Sequence, residues 1–160
     1  VLNCAKQYQQ NLLHKKLLII FRERQDNSIR FIEVIFHERN YQHLTGLELT
    51  NTEGKILQHQ SKNFYRKCIE NKLGLNDVDK VMGGVNFCLG LSRENDVFIP
   101  SSALLEDIKK LTSSPSQVLA IFEKDIDSEL YSTVKHVAKG LNLHHLILPP
   151  EINSKILLPK

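Results

Sequence analysis

Apolar residues in the first segment, "NCAKQYQQNLLHKK", fall at Cys4, Tyr8 and Leu12, with Ala5 and Leu13 beside them and Asn3 as a candidate cap. Four-residue spacing gathers them on one face and predicts an amphipathic helix. The pattern then changes to β-branched and aromatic residues in "LLIIFRER" and "IRFIEVIFH", and "QDNS" between them supplies turn chemistry, so the pair predicts a β-hairpin. In its second strand Ile32, Val34 and Phe36 share one face. Phe31, Glu33, Ile35 and His37 share the other, because strand side chains alternate.

Farther along, "LELTNTEGKIL" alternates around a turn at residues 51–54, and "SKNFYRKCIENKLGL" has the marks of a helix. Ser61 is its N-cap, Phe64/Cys68 and Tyr65/Ile69 are i,i+4 pairs, Leu73 extends the stripe, and Gly74 sits where a left-handed C-terminal cap belongs. Residues 76–100 read as a helical turn, "NDVDKV", followed by short strands in "VNFCLGLS" and "DVFIP". "SSALLEDIKKL" predicts a helix capped by Ser101 or Ser102 and stopped by "SSPS". "QVLAIFEK" and "LHHLILPP" predict strands, the second ended by its prolines. Between them "SELYSTVKHVAKGLN" fits two periods: Leu130, Val134, Val137 and Leu141 keep helical spacing, whereas Tyr131, Thr133 and Val137 favour a strand. With no repeat, low-complexity tract or linker, the chain reads as a single domain over residues 1–160.

Composition narrows the function more than the fold. At 160 residues, with 41% hydrophobic and 24% charged positions, the chain has the profile of an ordinary globular domain. Its longest apolar runs are far shorter than a membrane span, so no membrane or export role is expected. Cys4, Cys68 and Cys88 form no C-x-x-C pair, which suits reduced thiols in a cytoplasmic protein. A net charge of +3 allows a phosphate-bearing ligand but falls short of a duplex DNA binder.

Several chemistries lack their parts. "GGVNFCLG" has no Lys-Ser/Thr after its glycines, so it is not a phosphate-cradling loop. No Cys/His set has zinc spacing, and no G-x-S-x-G elbow offers a serine nucleophile. What remains is a group of imidazole, hydroxyl and cationic side chains: His37, Arg39, Tyr41, His43, Thr45, Lys62, Tyr65 and Arg66. Such groups suit RNA cleavage. A 2′-hydroxyl attacks its own phosphate when one group removes its proton, another protonates the departing oxygen, and a cation stabilises the phosphoryl charge. The nucleophile is already in the substrate, so no metal or other cofactor is required. Each residue also has a plainer reading: His43-Leu44-Thr45-Gly46 as a turn leaving the sheet, His37 as a strand end, and Tyr65 as a core-edge aromatic.

The pieces "IFHERNYQHLTGLEL" and "SKNFYRKCIENKLGL", with the opening "AKQY" helix and hairpin, resemble the phage-associated branch of the Barnase-EndoU-Colicin-RelE-like nucleases. The resemblance is sharpest in "NYQHLTGL" and "NFYRKCIENKL". It implies an α+β fold, with helices packed on an approximately four-stranded antiparallel sheet, and a metal-independent ribonuclease of a phage or other mobile element. Carried onto this chain, it selects His43, Thr45 and Gly46 from "HLTG" and Phe64 and Tyr65 from "FY". His43 becomes the proton-transfer candidate, Thr45 or Tyr65 a phosphate-binding hydroxyl, and Arg39, Lys62 and Arg66 the substrate contacts. The second acid or base stays open among His37, Lys62, Tyr65, Lys124 and His136. Expected partners are an RNA substrate, tRNA included, and an immunity or antitoxin protein. The rival reading is a non-catalytic module of the same fold that binds RNA or protein.

Overall fold

The computed structural model describes residues 2–45, 48–49, 56–57 and 78–158. In chain order its elements are α1 (Leu2–Asn11), β1 (Lys15–Arg22), β2 (Ile29–Ile35), α2 (Glu38–Thr45), β3 (Glu48–Leu49), β4 (Ile56–Leu57), β5 (Lys80–Gly83), β6 (Cys88–Glu94) and β7 (Val97–Leu104). There follow α3 (Ile108–Leu111), β8 (Gln117–Asp125), β9 (Thr133–Val137), a 3-10 turn (Leu143–His145) and α4 (Pro150–Asn153).

β1 and β2 pair antiparallel with Ile19 opposite Ile32, forming the expected hairpin. Asp26 fixes its turn by accepting from the Ser28 backbone N–H at 2.9 Å and the Ser28 hydroxyl at 2.6 Å. These strands become the middle of a seven-stranded sheet ordered β5-β6-β7-β2-β1-β8-β9. β8 pairs antiparallel with the free edge of β1, while β7 runs parallel to β2 with Val34 opposite Phe98. The expected four-stranded antiparallel sheet is therefore corrected on both counts, although the mixed α and β character holds.

Both faces of the sheet are packed, which explains the uninterrupted apolar run of β1. Leu18 and Ile20 point into a cluster with Leu119, Ala120, Phe122, Tyr131, Ile152 and Ile156. Ile19 points the other way, into a cluster with Ile32, Val34, Phe36 and Leu91, over which Tyr8 and Leu12 of α1 are laid. The alternation expected in β2 is borne out: Ile32, Val34 and Phe36 are buried on one face, and Phe31 and Glu33 lie on the other. His37 lies just beyond the strand.

Three other expectations change, two of them because pairing partners distant in sequence override local propensity. "SSALLEDIKKL" is split: Ser101 to Leu104 continue β7, with Leu104 opposite Cys88, and only Ile108–Leu111 is helical, capped by Asp107 rather than by a serine. "NDVDKV" is no helical turn where it is described, since Lys80 and Val81 belong to β5. "LHHLILPP" is not a strand. Asn142 caps a 3-10 turn there, so the His144-His145 pair lies in that turn, and the prolines open α4.

The ambiguous "SELYSTVKHVAKGLN" resolves as strand β9, paired with β8. Glu48 and Leu49 pair with Leu57 and Ile56, and the turn expected at 51–54 lies outside the described residues. The helix read in residues 61–75 lies outside the described residues. No helix among the described residues is long and apolar enough to cross a membrane.

Candidate active site

His43, Leu44 and Thr45 do not form the turn that their plainer reading gives them. Residues Glu38–Thr45 form α2, with Glu38 in the first turn, where its charge complements the helix dipole. Asn40 starts the helix. Its side-chain oxygen accepts the His37 backbone N–H at 2.7 Å, and its own N–H donates to the His37 carbonyl at 3.0 Å, one half of a capping box. The Asn40 side-chain amide then donates to the Pro100 carbonyl of β7 at 3.0 Å. Asn40 is 3% exposed, so these two bonds satisfy a polar side chain that would otherwise be costly to bury.

Tyr8 provides the second anchor. Its hydroxyl donates to the His37 carbonyl at 2.9 Å, and its ring lies 5.1 Å from Tyr41 and 6.1 Å from Phe36. Burial pushes the Tyr8 phenol up to about 12. α2 is thus held to α1 and to β7 by interactions that were not evident from sequence spacing.

The sequence candidates distribute as follows. His37 is half-buried and its backbone serves as the N-terminal cap of α2. Arg39 is exposed and ion-paired with Glu94 of β6 at 2.5 Å. His43 and Thr45 fall in the last turn of α2, with His43 one turn after Arg39. The side chains of His43 and Thr45, and all of Gly46, Lys62, Phe64, Tyr65 and Arg66, lie outside the described residues. α2 therefore brings the backbones of His37, Arg39, His43 and Thr45 together.

Lys124 and His136 are not brought to this helix. Lys124 donates to the carbonyls of Ser128 and Glu129 at 2.7 and 3.0 Å, and sits 5.0 Å over the Tyr131 ring, so it holds the β8–β9 connection. His136 is exposed on β9, three strands from β2, or about 14 Å at ordinary strand spacing. Cys88 is buried, with its thiol 3.3 Å from the Glu106 carbonyl, and burial pushes it up, as expected of an inert core cysteine. Gly83 before it has a steric role: a Cβ there would lie 2.3 Å from the Phe87 carbonyl oxygen. Among the described residues no group of three or more His, Cys, Asp or Glu side chains could hold a metal ion.

Two charged groups escaped the sequence reading. Glu33, on the face opposite α1, accepts from the Tyr131 hydroxyl at 2.7 Å, with Lys16 and Lys155 ammoniums at 3.4 and 3.5 Å. Burial raises the Glu33 carboxyl, but the Tyr131 hydrogen bond and the two lysines outweigh it and hold it below its usual range. Burial and Glu33 together push the Tyr131 phenol up. The Tyr131 backbone also bridges to Ile156, so this network ties the C-terminal segment to the sheet. Glu123 is 8% exposed beside Lys135; the ammonium is 3.2 Å from Oε2 but off hydrogen-bond alignment. Alternation along β2 placed Glu33 on the face opposite Ile32 and Val34, but its partners are up to 122 positions away and leave no local signal.

A cavity of about 440 Å³ opens on the α1 face of the sheet. β5 and the loop after α3 wall it against Ile19, Ile32 and Val118, and none of the sequence candidates among the described residues lines it.

No curated protein and no solved structure matches the chain. A family model does: that of the phage-Barnase-EndoU-ColicinE5/D-RelE like nuclease4, over residues 1–87. The matched stretch contains α1, the β1–β2 hairpin and the whole of α2, and so both Tyr8 and Asn40, although Asn40's partner Pro100 lies beyond it. The chain belongs to this family of Barnase-EndoU-Colicin-RelE-like nucleases.

Proposed function

We propose that the chain is a single-domain, metal-independent endoribonuclease of a phage or mobile element that acts in the cytoplasm and cleaves RNA, tRNA included. The observation that carries the reading is α2: one helix of the family-matched region bears Arg39, His43 and Thr45, begins at its cap His37, and is anchored at its start by Asn40 and Tyr8. Positioned groups of this kind are what general acid–base catalysis needs. His43 moves the proton, and Thr45 and Tyr65 supply hydroxyls to the phosphate. Arg39, Lys62 and Arg66 offset its charge, and His37 is the candidate second acid or base. An immunity or antitoxin protein would cover this surface in the producing cell.

The test is incubation of the purified chain with total RNA in EDTA, followed by end-group analysis. Cleavage leaving a cyclic phosphate is expected, with a loss of about 10²-fold or more in His43→Ala protein. Cleavage only with added divalent metal, or unchanged activity in that variant, defeats the mechanism. One observation favours the rival, a binding module without catalysis: Arg39 is already paired with Glu94. Retained RNA affinity without any cleavage by the parent chain would select it.

A further inference from the structure

We infer that Lys16 and Lys155, with Lys124 beside them, hold one backbone phosphate of an RNA strand at a point outside the bond that is cleaved. The inference rests on the ribonuclease reading and adds a substrate contact to it. Three lysines meet there around a single carboxylate. Lys16 lies directly opposite Lys124 in the β1–β8 pairing, and like charges placed opposite each other weaken a sheet. Lys155 enters from the C-terminal segment, its ammonium 5.5 Å from the Phe31 ring. Among the described residues, Glu33 is the one carboxylate within 4 Å of any of these ammoniums.

Glu33 cannot serve them all. The Tyr131 hydroxyl donates to Oε1 at 2.7 Å, and the Lys16 and Lys155 ammoniums approach that same oxygen at 3.4 and 3.5 Å. One carboxylate oxygen offers about two lone pairs, so three donors crowd it. Each ammonium carries three N–H donors, and most of those on Lys16 and Lys155 are left for another acceptor. Lys124 directs its own to the Ser128 and Glu129 carbonyls, and therefore adds charge more than contact. The cluster thus has two positive charges in excess and N–H donors to spare. An anion with several acceptor oxygens fits both.

The spacing favours a phosphate. Because the Lys16 and Lys155 ammoniums approach one oxygen, they are at most about 7 Å apart, a gap that one phosphate bridges with N–H···O contacts of about 2.8 Å on each side. Both can be reached from solvent: the side chain of Lys155 is 36% exposed and that of Lys16 is 19% exposed. The location suits a strand bound at α2. Lys16 is paired with Ile35, and His37, whose backbone caps α2, lies two positions farther on, about 7 Å along the chain.

The test uses the folded chain and a single-stranded 2′-O-methyl oligonucleotide, which lacks the attacking hydroxyl and stays intact. Its affinity is measured by fluorescence anisotropy over a range of salt. Lys155→Met and Lys16→Met keep the apolar stem and remove the charge. Each should weaken binding severalfold and flatten the log–log salt slope by about 0.7, the share of one phosphate on a single strand. Lys155→Arg should stay close to the parent. Glu33→Gln should move the other way and tighten the complex, although it lowers stability. A cluster with only a structural role would not give these opposite signs. Lys155 is the more exposed lysine, so its variants decide the matter if Lys16→Met fails to fold.

A salt slope unmoved by Lys155→Met, or weaker binding in Glu33→Gln, overturns the subsite even if the chain cleaves RNA. Inorganic phosphate, titrated by NMR against the backbone amides of Lys16, Lys155 and Tyr131, separates the two sources of the anion. Shifts with phosphate and none with the oligonucleotide mark a site for free anions and overturn the RNA assignment. If the chain cleaves no RNA at all, the ribonuclease reading falls, while the oligonucleotide titration still decides the subsite.

Discussion

The Asn40 side-chain amide donates to the Pro100 carbonyl at 3.0 Å, joining α2 to β7 across 60 positions of sequence. Because the same side chain also accepts the His37 N–H, one residue sets where α2 begins and which strand it rests on. Asn40→Ala would leave a buried carbonyl and a helix-start N–H without partners. A loss of about 1–3 kcal/mol is expected in urea denaturation. Nuclease activity should fall further than the fraction unfolded explains, because the helix bearing His43 is no longer held. Stability within a few tenths of a kcal/mol of the parent would show that Asn40 does not anchor the helix.

The network around Glu33 stabilises the C-terminal segment. Tyr131→Phe removes the hydroxyl and leaves a half-buried carboxylate with only its lysines, for an expected loss of about 1–2 kcal/mol. Combined with Glu33→Gln in a double-mutant cycle, it should show a coupling of about 0.5 kcal/mol or more. Simple additivity would show that the two side chains meet without interacting energetically.

Stability should decline at both ends of the pH scale, for opposite reasons. Tyr8 is held protonated up to about 12, above its unfolded value. The native state then keeps a proton that the unfolded chain loses, so this contribution is full below about pH 10 and fades as pH rises toward 12. Glu33 is shifted down. Its contribution is present above the ordinary glutamate range and is lost as the pH falls through its lowered native value. Chemical denaturation across pH measures both limbs. A Tyr8→Phe variant whose alkaline limb is as steep as the parent's would remove Tyr8 from this account.

Arg39 is shared between Glu94 and any RNA that it meets. Glu94→Gln should free the guanidinium, tighten RNA binding severalfold and steepen its salt dependence, with little change in stability, because the pair is half-exposed. Filter binding at two salt concentrations is enough, and unchanged affinity would take Arg39 out of the substrate contacts.

The family match ends at residue 87, but the sheet does not. β1 is flanked by β8 and β2 by β7, so a chain of residues 1–87 would expose both outer edges of the central hairpin and lack six of the eight buried residues of one core cluster and one of the five of the other. That fragment should lack cooperative unfolding by circular dichroism. A sharp transition would show instead that the matched region is a domain by itself.

Local patterning determined what depends on near neighbours. The period of "NCAKQYQQNLL" sets α1, alternation along Phe31 to His37 assigns faces in β2, and "QDNS" places the hairpin turn. The "AKQY" helix, the hairpin and the two pieces that follow pointed together to the nuclease family. Local patterning did not locate α2, because its start depends on Asn40 reaching both His37 and Pro100. It made Ser101 to Leu104 helical, although pairing with β6 makes them strand. It left Glu33 without partners, since Tyr131 and Lys155 come from the far end of the chain. Side-chain period is a property of one segment and is written in sequence. Strand order, buried ion partners and the cavity depend on which distant segments exclude water together, and only the tertiary structure decides that.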